Sequence, residues 1–78
     1  MKFYIRDTGG INRRWYVSKT NLKSIKEYKN LYLRLGGGFY TGNPDKFSSP
    51  SAAMAELQVS PEYNCETDSV IVEIASRF

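Results

Sequence analysis

Seventy-eight residues predict a single domain over 1–78 with one core, because a chain this short buries only about 60–65% of the surface its unfolded form exposes. With 41% hydrophobic and 14% aromatic residues it is too rich in core formers for a disordered chain, and no apolar run reaches the ~18 residues that span a bilayer, which excludes a helical membrane protein. The formal charge of +3 conceals an uneven distribution, with ten Lys/Arg against three acids in residues 1–46 and one against five in residues 47–78.

Residues 2–7 alternate as a strand, Phe3 and Ile5 to one side and Lys2, Tyr4 and Arg6 to the other. Thr8-Gly9-Gly10-Ile11-Asn12 supplies a turn, and residues 13–19 resume the alternation with Trp15 and Val17 facing away from Arg14, Tyr16 and Ser18. Together they predict a β-hairpin. Residues 20–29 read equally as a short helix capped by Thr20 or as a turn. Residues 31–35 form a third alternating strand, which Gly36-Gly37-Gly38 turns into a short fourth around Phe39 and Tyr40.

Ser49 followed by Pro50 marks a helix start, since a hydroxyl at the cap satisfies a free N–H and proline at the first position has none to lose. The helix runs through Ala52, Ala53, Met54, Ala55, Leu57 and Val59, which give it a close-packing surface, and is stopped by Pro61. Residues 69–74 are a β-branched strand. The expectation is an α+β fold: a small curled antiparallel sheet of three to five strands packed against one main helix, in the order ββ(α)ββαβ. Its expected core is Phe3, Ile5, Trp15, Val17, Leu31, Leu33, Leu35, Met54, Leu57, Val70, Val72 and Ile74.

The residue inventory argues against catalysis. There is no histidine, the side chain whose ordinary pKa lies near neutrality, so a base, shuttle or metal ligand of that kind is missing. Cys65 stands between Asn64 and Glu66 with Asp68 nearby, a setting that opposes the thiolate a nucleophile needs. One cysteine also makes no internal disulfide, and the opening Met1-Lys2-Phe3-Tyr4-Ile5-Arg6-Asp7 carries charge where a secretion signal is apolar, so a cytoplasmic protein is expected. Zinc and calcium sites need ligand patterns that do not occur, and no cofactor or metal is expected. The triple glycine lacks the frame of a phosphate loop and reads as a turn.

The pattern that does suggest function lies on the non-core side of the first three strands. Tyr4 with Arg6, Arg14 with Tyr16, and Tyr32 with Arg34 each stand two residues apart, hence on one face of a strand. If those strands are neighbours, Tyr4, Arg6, Arg14, Tyr16, Tyr32 and Arg34 form a basic, aromatic array. Such a face serves three readings. It can dock an acidic protein surface, since tyrosine and arginine are enriched at interface hot spots. It can stack single-stranded bases and bind their phosphates. It can also be merely a solvated outer face, because arginine and tyrosine pair well across strands. A structural subunit, with its basic and acidic halves drawn together in a homo-oligomer, is a further reading.

The layout of FYIRD, WYVSK, GGGFYTGNP, FSSPSAAMAEL and VIVEI resembles that of small uncharacterised proteins of tailed bacteriophages. Phe47, Ser49, Ala52 and Ala53 occupy the positions where such proteins carry a phenylalanine and a serine-capped helix with paired alanines. The resemblance implies an accessory or host-inhibiting factor that binds a host protein or nucleic acid. The leading expectation is therefore a small, non-catalytic binding protein that engages an acidic protein partner.

Overall fold

The computed structural model of the chain describes residues 1–19 and 30–74. The helix or turn expected at 20–29 lies outside the described residues. Strand β1 (Lys2–Asp7) buries Phe3 and Ile5 on one side and leaves Tyr4 and Arg6 half-buried on the other, the two-residue period of a pleated strand. It pairs antiparallel with β2 (Trp15–Ser18) in a register that sets Ile5 opposite Val17 and Arg6 opposite Tyr16. Gly9 and Gly10 take positive φ in the turn, a backbone that L side chains resist. The Thr8 N–H donates to the Arg14 carbonyl across the hairpin mouth at 2.8 Å.

Strand β3 (Tyr32–Leu33) adds to β2 through the pair Ser18 and Tyr32, and β4 (Phe39–Tyr40) pairs with β3. The glycines between them form the expected tight turn, closed by Gly37 N–H on the Arg34 carbonyl at 3.0 Å. Helix α1 (Pro50–Gln58) starts as its sequence predicts, with the Ser49 hydroxyl accepting from the Ala52 N–H at 3.1 Å. It ends at Val59, two residues short of Pro61.

Strand β5 (Ser69–Glu73) completes a five-stranded sheet of order β4-β3-β2-β1-β5. Class and layering are as expected, α+β with the sheet against one helix. Four strands are antiparallel, but β5 runs parallel to β1. The cause is the helical crossover: α1 carries the chain back along the sheet, so β5 enters from the same end as β1. There the N-terminal amine lies 3.1 Å from Asp68 Oδ1.

The core consists of Phe3, Ile5, Trp15, Val17, Leu33, Phe39, Phe47, Ala53 and Leu57. Phe3 packs its ring at 5.5 Å from Phe39 and 5.4 Å from Tyr63, distances typical of favourable tilted and edge contacts. Leu31, Met54 and Val70 sit at its margin rather than inside. Three expected core residues are corrected outright: Leu35, Val72 and Ile74 are 70%, 52% and 66% exposed. Leu35 lies past the end of β3, in the turn, where alternation no longer governs. Val72 shares the core side with Ile5 by register, but α1 packs chiefly over β2 and β1, so β5 is only partly covered.

Candidate binding site

Register collects the expected array on the side of the sheet away from α1. Tyr4, Arg6, Tyr16, Ser18, Tyr32 and Tyr40 follow one another across β1, β2, β3 and β4, with Ile71 and Glu73 beside them on β5. Of the six chosen side chains, Tyr4, Arg6, Tyr16 and Tyr32 therefore share a face, while Arg14 and Arg34 lie just beyond the ends of β2 and β3, and the array does not make a uniform surface. Arg6 Nε lies 3.0 Å from Glu73 Oε1, so its charge is matched from the neighbouring strand. Arg34 lies over the Tyr40 ring at 5.7 Å and donates to the Thr41 carbonyl at 3.4 Å, which ties it to its own hairpin. Tyr32 is buried, with only 5% of its surface exposed, and so is Ser18. Tyr4 is half-buried between Ser18 and Ile71. A flat row of stacking rings is absent among the described residues.

What remains is a smaller cluster around Tyr16. Its ring meets Tyr32 edge-on, with centroids 5.8 Å apart. Trp15 and Phe47 form an antiparallel bridge, each N–H donating to the other's carbonyl at 2.9 and 2.6 Å. That bridge brings Lys46 near Tyr16, and both line the same cleft. On the other flank β1 sets Arg6 opposite Tyr16. Arg14 precedes Tyr16 by two residues and is held there by its N–H on the Thr8 hydroxyl oxygen at 3.2 Å. Arg6 and Lys46 thus stand beside one half-buried tyrosine, with exposed Arg14 two residues before it.

Beside that ring lies an open cleft of about 290 Å³, lined by Asp7, Thr8, Tyr16, Tyr32, Pro44 and Lys46. Its one carboxylate among the described residues, Asp7, is buried and paired with Arg13 Nε at 3.2 Å. Arg14 and Lys46 are exposed, and neither makes an ion pair among the described residues. The cleft therefore combines an aromatic wall, a hydroxyl and uncompensated positive charge at the rim. This chemistry suits a carboxylate or phosphate carried on an apolar stem, since a cation at a concave site focuses its field on an anion.

Lys46, Thr8 and Pro44 were not legible as site residues. Lys46 sits in a polar loop, thirty residues from Tyr16, and only the long-range bridge at Trp15 brings it there. The glycine turn, in contrast, is occupied: the Leu35 N–H donates to Asp45 Oδ2 at 2.7 Å and the Gly36 N–H to Glu56 Oε2 at 3.2 Å. Those carboxylates would repel the phosphate a glycine loop might otherwise hold. Among the described residues no cluster of His, Cys, Asp or Glu could hold a metal ion, and no helix is long and apolar enough to cross a membrane. No family model, curated protein or solved structure matches the chain.

Proposed function

We propose that this chain is a small non-catalytic binding protein that holds an acidic segment of a protein partner in the cleft beside Tyr16. Arg14 and Lys46 supply the attraction, and the rings of Tyr16 and Tyr32 supply the apolar wall. The observation that carries this reading is the exposed, unmatched Lys46 in the lining of a cleft whose one acid among the described residues is already paired with Arg13, with exposed Arg14 two residues before Tyr16. Tyrosine and arginine together are the residue types that anchor such contacts.

The burial of Tyr32 favours a protein partner over single-stranded nucleic acid. Sheets that bind single strands stack successive bases on several exposed rings, whereas here Tyr32 is buried in the middle of the row and Arg34 lies over the exposed Tyr40 ring. An exposed, unpaired Cys65 suits the reducing cytoplasm expected for the chain. An accessory role of the kind the phage-like layout implies is in keeping with a binding module of this size.

Fluorescence anisotropy tests the reading, using a labelled peptide of alternating Glu and Phe and a labelled oligothymidylate of equal charge. The peptide is expected to bind at low salt, more weakly as salt rises, and about tenfold more weakly to Arg14→Ala/Lys46→Ala. Equal peptide binding by that double variant sinks the assignment of the cleft. Tighter binding of the oligothymidylate, with a steep salt slope, replaces the protein partner by nucleic acid.

A further inference from the structure

We propose that β5 is a self-pairing edge, through which two copies of the chain join their sheets about a two-fold axis at Ile71. This inference does not rest on the Tyr16 cleft.

The parallel ladder fixes which backbone groups are committed. Ser69 N–H donates to the Met1 carbonyl at 3.1 Å, and the register continues from Lys2 opposite Ser69 to Arg6 opposite Glu73. In such a ladder alternate residues turn both peptide groups to the same neighbour. Ser69, Ile71 and Glu73 therefore face β1, while Val70 and Val72 direct N–H and C=O outward. Among the described residues nothing pairs with those outward groups. The opposite edge of the sheet, β4, is only two residues long and offers much less.

Native edges are normally guarded by lysine, proline, a bulge or very short length. β5 is five residues long and has none of these, reading Ser-Val-Ile-Val-Glu. Its one charge, on Glu73, is matched by Arg6. Val72 and Ile74 stand exposed where solubility calls for polar groups.

A second copy fits this edge by register. An antiparallel two-fold at Ile71 sets Val70 of one copy opposite Val72 of the other, and these are the residues whose outward groups are uncommitted. Both N–H···O=C pairs form, twice over. Ile71 meets its own copy on the outer face, Val70 meets Val72 on the helix side, and Glu73 falls opposite Ser69. No like charges oppose each other, so the edge is self-complementary in hydrogen bonding, shape and charge, as a closed two-fold contact requires.

Sedimentation of the full chain across concentration is expected to show a monomer–dimer equilibrium, with a dissociation constant on the order of 100 μM or tighter, since the contact is smaller than a standard interface. Because the edge is apolar, raising salt should leave the dimer intact. Val72→Lys should weaken it about tenfold or more, and so should Val72→Pro, which removes an outward N–H and spares the ladder to β1. In a Cys65→Ser background, Ile71→Cys should form an intermolecular disulfide in a glutathione buffer far faster than Thr41→Cys, because directly opposed residues at a non-hydrogen-bonded position lie within disulfide reach. Should either proline or lysine disturb the fold, this cross-link still decides the matter. A wild-type chain that stays monomeric at about 0.5 mM, where a contact of that strength would be mostly formed, overturns the proposal. So does a dimer unaffected by the folded Val72 variants, or equal cross-linking of the two cysteines.

Discussion

Arg6 Nε lies 3.0 Å from Glu73 Oε1 across the parallel seam between β1 and β5, so the cation that β1 sets opposite Tyr16 is answered by the protein's own carboxylate. Glu73→Gln should release Arg6 toward the cleft. The expected result is two- to threefold tighter binding of the acidic peptide, in line with the modest worth of partly exposed charges, about 0.5 kcal/mol. Stability should fall by a similar amount, read by urea unfolding. Weaker peptide binding by this variant would mean that the field around Tyr16 does not act on the ligand.

Asp68 holds the start of β5 to the start of β1. Its carboxylate accepts the Asn64 N–H at 2.9 Å and the N-terminal amine at 3.1 Å, and these bonds, the backbone one foremost, hold its pKa below the ordinary carboxylate value. A folded-state pKa lowered in this way contributes stability that is present above the unfolded value and lost as pH falls through the folded one. Wild type should therefore exceed Asp68→Asn in stability at neutral pH, and the gap should close below the ordinary aspartate range. The check is thermal unfolding of both proteins as a function of pH. A gap that widens on acidification contradicts the clasp.

Leu33 and Leu35 look equivalent in sequence but not in the fold. Leu33 is fully buried and Leu35 mostly exposed. Leu33→Ala should cost about 2–5 kcal/mol, as core truncations do, while Leu35→Ser should stay within about 0.5 kcal/mol, as at ordinary surface sites. Equal costs in chemical unfolding would contradict the end of β3 at Leu33.

The turn that follows offers a separate comparison. Gly36 and Gly37 both take positive φ, at 100° and 92°, yet a Cβ on Gly37 would come within 3.1 Å of Ser60 Cα whereas one on Gly36 meets nothing. Gly36→Ala carries only the backbone penalty, about 1 kcal/mol. Gly37→Ala adds a contact with backbone that cannot swing away, and should be clearly the less stable of the two in the same unfolding assay.

How far the sequence revealed all this depended on range. The β1–β2 hairpin, the glycine turn and the Ser49 cap were legible because each is decided by neighbours within a few residues. The parallel entry of β5 was not, since no local signal in Ser69–Glu73 states which strand it will join or from which end. The same limit explains the core. Val72 alternates correctly, but its exposure follows from where α1 ends its reach across the sheet. At the site, two-residue spacing correctly gathered Tyr4, Arg6, Tyr16 and Tyr32 on one face. It could not reveal that Glu73 would match Arg6, that Tyr32 would be buried, or that the Trp15–Phe47 bridge would bring Lys46 to Tyr16.

The most direct test of the central claim is a ¹⁵N–¹H spectrum of the labelled protein, recorded while the Glu/Phe peptide is titrated in. Binding at the cleft predicts progressive shifts of the Thr8, Arg14, Tyr16 and Lys46 amides, with Thr41 and the residues of α1 unmoved. Shifts spread evenly over the surface, or centred on the Arg34–Tyr40 hairpin instead, would contradict it.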